Sequence, residues 1–333
     1  MERVRIAVTD SDNTAQIPSG WCLMAFMDGE ETLHLGISPN ARRRYAFLKE
    51  SAKEDAGIDE LLKSSSSLDV QKLSSALEAL VALKAGTHDL RPRLQSSYRP
   101  WQHYVYLAID AYRFPFLKIT PDTNEDWLYL GPFRDRFFLT DVLDSVCRIL
   151  RLPRCETGDW PCDKLEKGFC GGYCRSLDSH LVDDHVSGEG FEAVELDEPA
   201  GDSGYSLKKL ERLLKESFLH PDNGILGMLR HEREKYFSDL EFVKADLLDE
   251  EIALQEKYRD WLIFLYAARQ LNWQEEGLVV ERGRIRRCRY QGKDYLFAPD
   301  STLYRDNESL ALNLDSLDEA RILYEYYYDR KQG

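Results

Sequence analysis

Alternating apolar and polar positions open the chain and predict a small β-sheet. Apolar side chains recur at every second position in residues 4–8, 21–26 and 32–35, which is the period of a strand with one buried face. Asp28 and Gly29 lie between the second and third of these segments and predict a tight hairpin turn. The chain is therefore expected to begin with three strands.

From residue 68 to residue 85 the apolar positions recur at helical spacing, so this segment predicts a helix that packs on the sheet. Gly86 is expected to end the helix, because glycine commonly closes helices. The serine run 64–67 predicts a flexible loop, with Asp69 or a serine as the helix cap. Residues 1–100 thus predict a first domain.

Residues 101–178 predict a second module that is rich in cysteine. Its strands are expected at 104–109, 114–119 and 127–130, and its helix at 140–150. The next segment, 179–205, is acidic and rich in glycine and serine. This composition is typical of an interdomain linker.

Residues 206–276 are almost free of glycine and proline outside 221–227, which predicts a short helix followed by a long helical hairpin. Residues 277–333 predict strands with a turn at Gly292, and then a helix at 317–328. The expected fold class is α+β: a small sheet with packed helices, a cysteine-rich module, a helical hairpin and a small C-terminal α/β piece.

Composition limits the location and the partners. The 333 residues carry a net charge of −15, so any contact with DNA must be local, because phosphate binding needs clustered lysine and arginine. The sequence contains no apolar run of about 18 residues, so no membrane span is expected. The N-terminus lacks the pattern of an export signal, which makes the cytoplasm the expected location.

Two basic clusters are candidate sites for local DNA contact. They consist of Arg42, Arg43, Arg44, Arg284, Arg286, Arg287 and Arg289. The alternative interpretation is solvated charge on a helix end and on a strand face.

Four of the seven cysteines lie within twenty residues, and they are Cys155, Cys162, Cys170 and Cys174. Seven cysteines in a reducing compartment do not predict a disulfide framework. Four thiolates near several glycines are suited to a soft metal ion or an iron–sulfur cluster. The Cys-x2-Cys pairs typical of zinc sites are absent, so the spacing favours a cluster and leaves zinc as the alternative.

The order of motifs around these cysteines resembles the C subunit of the bacterial UvrABC excision nuclease. The motifs are RFPFLKIT at 113–120, YLGPF at 129–133, LPRC at 152–155, PC at 161–162 and GFC at 168–170, followed by Cys174. The resemblance covers residues 20–260. It implies a 4Fe-4S cluster on the four cysteines, although the first cysteine interval is shorter here than in the family.

The resemblance also implies an N-terminal GIY-YIG nuclease domain whose catalytic groups have been replaced. Gly20-Trp21-Cys22 and His34-Leu35-Gly36 stand where the two family tripeptides would be, so the two tyrosine positions hold Cys22 and His34. Arg44 keeps the place of the catalytic arginine. The position of the magnesium-binding glutamate falls on Leu83, which cannot ligate magnesium, so the domain is expected to be degenerate and inactive.

Residues 240–252 resemble the family's helical-hairpin motif, which pairs with a matching hairpin on the B subunit. The sequence departs from the motif at Val243, Asp246 and Asp249, where the family tends to have Glu, Ala and Arg. The preferred hypothesis is a DNA repair accessory protein that binds DNA locally and a UvrB-like partner through this hairpin. The alternative for the hairpin is a plain self-associating or intramolecular one.

Two alternatives remain open at this point. One is an active, metal-dependent DNA endonuclease with a rearranged site built on Arg44, His34 and an unassigned carboxylate. The other is a redox-sensing regulator in which the cluster is the signal.

Overall fold

The structure is a computed structural model that describes residues 2–8, 12–96, 103–152, 163–170, 172–177, 207–298 and 309–332. Its strands are β1 (Arg3–Ala7), β2 (Cys22–Asp28), β3 (Glu31–Ser38), β4 (Ser67–Lys72), β5 (Val105–Ile109), β6 (Leu117–Thr120), β7 (Leu128–Phe133), β8 (Trp273–Glu275), β9 (Leu278–Glu281), β10 (Arg284–Tyr290), β11 (Lys293–Leu296) and β12 (Leu310–Ala311). Its α-helices are α1 (Ala41–Ser51), α2 (Ala56–Ser64), α3 (Ala76–Leu90), α4 (Arg136–Ile149), α5 (Asp163–Glu166), α6 (Leu207–Leu219), α7 (Ile225–Ser238), α8 (Phe242–Gln270) and α9 (Leu317–Gln332). Short 3-10 helices occupy Asp12–Gln16, Tyr173–Leu177 and Leu314–Ser316.

The chain folds into two compact units, and both mix helices with sheets, so the coarse α+β prediction is confirmed. Unit 1 contains Met1–Gln102, Tyr266–Leu303 and Asn313–Gly333. Unit 2 contains His103–Leu265 and Tyr304–Leu312. The predicted linker 179–205 lies outside the described residues. Within the ranges that the structure describes, no helix is both long and apolar enough to cross a membrane.

The N-terminal sheet of unit 1 is antiparallel with the order β1-β4-β2-β3, and it contains the three predicted strands. Helices α1 and α2 pack on it around a core that includes Phe26, Tyr45 and Leu61. Asn40 caps α1 and Asp55 caps α2, because their side chains accept hydrogen bonds from the first backbone N–H groups of the helices.

The helix predicted for residues 68–85 is present from Ala76 onward, but its predicted start was wrong, because residues 67–72 form the inner strand β4 of this sheet. Asp69 does not cap a helix; it accepts hydrogen bonds from Arg3 and Arg5 on the neighbouring strand. Helix α3 begins only after Ser75, whose hydroxyl accepts from the N–H of Glu78.

Gly86 also differs from its prediction, since it lies inside α3 and does not end it. A Cβ atom at Gly86 would lie 2.9 Å from Cδ1 of Leu35 on β3. The glycine therefore permits α3 to approach the sheet more closely than any other residue would.

The C-terminal part of unit 1 is a four-stranded antiparallel meander, β8 to β11, followed by α9. The predicted turn at Gly292 joins β10 to β11. Leu80 and Ala85 of α3 share one hydrophobic core with Ile285 of β10 and Leu323 of α9. Residues far apart in sequence thus surround α3.

Unit 2 contains the sheet β12-β7-β5-β6, in which only the short strand β12 runs parallel to its neighbour. Tyr258 of α8 is fully buried, stacks on Phe133 at 5.7 Å between ring centroids, and donates a hydrogen bond to the carbonyl of Phe218. This part of α8 is therefore integral to the core of unit 2.

Candidate functional site

A cavity of about 510 Å³ lies within unit 1. Most of its lining is apolar, and the apolar side chains are Met24, Phe26, Leu35, Ile37, Leu48, Leu80, Leu83 and Phe297. The polar residues at its wall and rim are His34, Arg44, Lys84, Thr87, His88, Gln95, Arg284, Asp315, Asp318 and Glu319. Cavities of this size with apolar walls and a few polar groups are typical of sites for small molecules.

The structure brings three of the sequence-selected positions together. His34 from β3, Arg44 from α1 and Leu83 from α3 all line this cavity. Cys22, at the other tyrosine position, is fully buried, and its thiol donates to the carbonyl of Gly20 at 3.4 Å. Burial raises the pKa of this thiol, which leaves Cys22 as a neutral core residue.

His34 is buried beside the ring of Phe26, with 6.1 Å between the ring centroids. Burial lowers the pKa of His34 to about 4, and the nearby Arg44 adds to the decrease, while a hydrogen bond with the backbone of Leu94 opposes it. His34 is therefore neutral at pH 7. A base with so low a pKa is poorly matched to proton transfer at neutral pH.

Leu83 places a hydrocarbon side chain where the resemblance implies a metal-binding carboxylate. Glu78, the nearest acid along α3, is held at the helix start, because its carboxylate accepts from the N–H of Ser74 at 2.7 Å and from its hydroxyl at 2.5 Å. In the described ranges, no group of three or more His, Cys, Asp or Glu side chains is arranged to hold a metal ion.

Gln95 closes another side of the cavity and was not selected from the sequence. Its side-chain amide accepts from the N–H of Leu35 at 2.9 Å and donates to the carbonyl of Leu35 at 2.8 Å. Because β3 is an edge strand, these two bonds satisfy backbone groups that would otherwise stay open.

A charged trio at the cavity wall was also missed by sequence reasoning. The ammonium of Lys84 donates to both carboxylate oxygens of Glu319, at 2.7 and 2.8 Å, and Arg284 lies 3.7 Å from the same carboxylate. The N–H of Ile285 donates to Glu319 at 2.7 Å. Lys84 and Glu319 are 235 positions apart, so no local signal could have linked them.

The three arginines of the first basic cluster lie in three different environments. Arg42 donates to the carbonyls of Ala15 and Ile17, at 2.7 and 3.2 Å, while Arg43 is exposed. Arg44 faces the cavity, and its guanidinium lies 5.6 Å from the ring centroid of Phe47.

The second basic cluster has several partners within the protein. Arg286 donates to the carbonyl of Ala298 at 2.7 Å, and Arg289 pairs with Asp294 at 3.0 Å. Arg287 is exposed. Arg284 faces the cavity, so the candidates on β10 do not form one continuous surface.

Only half of the predicted cysteine site lies in the described residues. Cys155 and Cys162 lie outside them, whereas Cys170 and Cys174 are half-buried, Cys170 just before the second 3-10 helix and Cys174 within it. The N–H of Gly172 donates to the sulfur of Cys170 at 3.2 Å.

Helices α7 and α8 form a helical pair whose two arms are joined by ion pairs. Arg233 pairs with Asp249 at 3.1 Å, and Arg230 pairs with Glu256 at 2.7 Å. The residues at its turn carry large exposed apolar side chains. We call this patch the hairpin tip, and it consists of Phe237, Leu240, Phe242, Val243 and Leu247.

Comparisons with known proteins find several curated relatives of this chain. The chain is 22% identical over 170 residues to the UvrABC system protein C of Fervidobacterium nodosum, which covers 49% of this chain and 30% of that protein. It is 25% identical over 232 residues to the UvrABC system protein C of Prosthecochloris aestuarii, covering 68% and 35%. For the protein of the same name from Chlorobaculum tepidum, the identity is 23% over 255 residues, covering 75% and 38%.

The chain is therefore UvrC-like, and it spans about a third of the length of these curated relatives. No protein-family model matches the chain. No solved structure matches it either.

Proposed function

We propose that this UvrC-like chain is a DNA repair protein that acts by binding a partner and does not cut DNA. The observation that supports the proposal is the cavity of unit 1, where His34 is buried and neutral and where Leu83 stands at the position that the resemblance assigns to a metal-binding carboxylate. Both positions belong to the GIY-YIG-like frame that the sequence resemblance implies.

Cleavage of a phosphodiester needs an activated water molecule and stabilisation of the charge that develops on phosphorus oxygens. A metal ion commonly supplies both functions. In this cavity Arg44 could stabilise charge, but Leu83 cannot hold a metal ion and His34 is a weak base. The cations of the cavity, Arg44, Lys84 and Arg284, are poor catalysts for this reaction without a metal ion or a base matched to neutral pH.

A nuclease assay tests the inactive site. Purified protein is incubated with magnesium or manganese and with branched or lesion-bearing DNA, beside the variant Arg44→Ala. We expect no cleavage that depends on Arg44. Cleavage that disappears in Arg44→Ala would overturn the proposal in favour of the alternative, an active endonuclease that uses Arg44, His34 and a further carboxylate.

The binding partner that we propose is a UvrB-like protein, and the contact surface is the hairpin tip. The side chains of Leu240 and Val243 are 73% and 76% exposed, and a cluster of exposed apolar groups marks a protein-binding surface. Amphipathic helices commonly bind partners through such clusters. The pair of Arg233 and Asp249 holds the two helices together behind this surface.

Capture of a UvrB-like protein by the immobilised chain tests this contact. The variant Val243→Glu with Leu247→Glu places two charges in the hairpin tip, and Ile263→Glu is the matched control on the same helix, where Ile263 is 51% exposed. We expect the double variant to lose capture and the control to retain it. Equal capture by both would exclude the hairpin tip.

Deletion of the whole hairpin would be a poorer test. The deleted residues would include Tyr258 and Gln255, which are fully buried in unit 2. Loss of capture could then follow from unfolding alone.

We also propose that the four cysteines hold a 4Fe-4S cluster, with zinc as the alternative. The support is the donor set of Cys155, Cys162, Cys170 and Cys174 together with the N–H···S bond within the described half. Such a cluster would contribute folding energy to the segment.

Anaerobic purification followed by visible absorption and metal analysis tests the cluster. We expect brown protein with iron, and loss of iron in Cys170→Ser but not in Cys288→Ser, since Cys288 is buried in unit 1. Colourless protein with one zinc per chain would establish the alternative. A partner affinity that changes on oxidation would favour the redox-sensing regulator.

Direct DNA contact is proposed only as a local addition to partner binding. Arg43 and Arg287 are exposed members of the two basic clusters. Their contribution would weaken as salt increases, because binding to phosphates releases counterions.

A further inference from the structure

We propose that the cavity of unit 1 is a binding site for a small organic anion with an apolar, preferably aromatic, body. This inference goes beyond partner binding, and it does not depend on the hairpin tip or on the cysteines. It rests on what lines the cavity, on how its charges are arranged, and on which segments of the chain form its walls.

The walls come from both ends of the chain and leave room for a small molecule only. Phe26 and Leu35 come from the N-terminal sheet, Leu83 comes from α3, and Phe297 and Glu319 come from the C-terminal part of unit 1. The volume of about 510 Å³ is in the range of pockets that hold small organic ligands. A DNA duplex is far larger than this space.

The apolar surface specifies the body of the ligand. Phe26, Leu48, Leu80 and Leu83 present hydrocarbon surface with no hydrogen-bonding groups. Enclosing apolar ligand surface against such walls is favourable because it removes both surfaces from water. Phe297 adds an aromatic ring to the lining, and aromatic rings attract one another at their edges and faces, so we expect an aromatic body to be preferred.

The charges specify the polar end of the ligand. Lys84 and Arg284 share the single carboxylate of Glu319, so this trio keeps a net positive charge. Arg44 adds a third cation at the lining. The acids Asp315 and Asp318 are exposed at the rim, where water screens them, so the interior favours an anionic group.

His34 supports the same conclusion because it is uncharged. Burial lowers the pKa of His34 to about 4, so at neutral pH it adds neither charge nor a tightly held water shell to the apolar wall. The net positive charge of the cavity lining is therefore carried by Arg44 and the trio.

Two fluorescent probes with the same ring system test the proposal. Anilinonaphthalene sulfonate is an aromatic monoanion, and N-phenyl-naphthylamine is its neutral analogue. We expect Arg44→Met to weaken binding of the sulfonate by about tenfold and to leave the neutral probe unchanged. Leu83→Trp fills the cavity and should weaken both probes.

The methyl resonances of the four methionines locate the probe in the wild-type protein. Met24 lines the cavity, whereas Met228 belongs to α7 of unit 2. Saturating sulfonate should shift the Met24 methyl resonance and leave Met228 in place. This measurement does not depend on the folding of any variant.

Different results would overturn the site itself and the preference for an anion. A Met24 resonance that does not move, or unchanged probe affinity in folded Leu83→Trp, would overturn the site. Equal weakening of both probes by Arg44→Met would overturn the preference for an anion. The variant Val243→Glu with Leu247→Glu should keep the Met24 shift, which distinguishes this site from the proposed partner surface.

Discussion

The cavity of unit 1 and the hairpin tip of unit 2 use apolar side chains in opposite ways. In the cavity they enclose space within the fold, and the charged groups among them, such as Lys84 and Glu319, are largely buried. At the hairpin tip, Leu240 and Val243 face solvent, and the side chains of the ion pair of Arg233 with Asp249 behind them are 30% and 49% exposed. The energetic consequences of substitution should differ accordingly.

The two regions are therefore suited to different functions. A buried charge network is costly to disturb and keeps a cavity in one shape. An exposed apolar patch costs the folded state little to change and offers surface to a partner. Four predictions examine the contrast, beginning with the largest effect.

Loss of the shared carboxylate should have the largest effect. Glu319→Gln leaves Lys84 and Arg284 partly buried without their anion, so the free energy of unfolding should decrease by about 4 kcal/mol. Asp318→Asn is the matched control, because Asp318 is the exposed neighbour, and its effect should stay within about 0.5 kcal/mol. Urea unfolding of both variants gives the values. Equal effects would mean that the trio does not behave as a buried network.

Acid should destabilise unit 1 through His34. The pKa of about 4 in the folded protein lies below the ordinary value of 6.5, so the unfolded chain binds the proton more readily. The stabilisation is complete above pH 6.5 and is lost as the pH falls towards 4. His34→Gln should therefore gain about 3 kcal/mol relative to the wild type between pH 7 and pH 4. The free energy of unfolding of both proteins is measured from pH 7 to pH 4. A difference between variant and wild type that stays constant over this range would contradict the prediction.

The turn that supports the C-terminal sheet should tolerate no side chain. Gly283 has a φ of +70°, and a Cβ there would lie 2.6 Å from the carbonyl oxygen of Ala268. Gly283→Ala should cost about 3 kcal/mol, since the left-handed conformation and the collision with backbone both act against it. Gly292→Ala, at a φ of +80° with open space around it, should cost only about 1 kcal/mol. An equal decrease in melting temperature for the two variants would contradict the predicted clash between the new Cβ atom and the carbonyl oxygen of Ala268.

The smallest effect is expected in the hairpin. Asp249→Ala removes an exposed ion pair with Arg233 and should lower stability by about 0.5 kcal/mol. A double-mutant cycle with Arg233→Ala isolates the pair. A coupling energy between Arg233 and Asp249 as large as the loss of stability expected for Glu319→Gln would remove the contrast between the two regions.

Much of the fold was predictable where a short stretch of sequence carries its own pattern. The strands β2 and β3 alternate clearly and are joined at Gly29, and the long helices of unit 2 follow from a stretch almost free of glycine and proline. Strand β4 was missed because Leu68 and Val70 also fit the helical spacing of the segment that follows. Only pairing with β1 and β2 decides its conformation.

The candidate site was also predictable only where a short stretch of sequence carries a recognisable motif. The tripeptide frame and Arg44 indicated the position of His34 and Leu83, and the structure places all three at one cavity. The partnership of Lys84 with Glu319 depends on chain segments that meet only in the folded protein. Cys155 and Cys162 lie outside the described residues, so the cysteine site stays a prediction.

The salt bridge between Lys84 and Glu319 has a consequence for any attempt to divide the protein. A fragment that stops near residue 100 would contain every strand and helix of the N-terminal sheet, yet it would lack the carboxylate that accepts from Lys84. It would also expose Leu80 and Ala85, which the C-terminal segments cover in the whole chain. The N-terminal and C-terminal segments of unit 1 therefore complete one hydrophobic core, and a study of the N-terminal region needs residues 266–333 present.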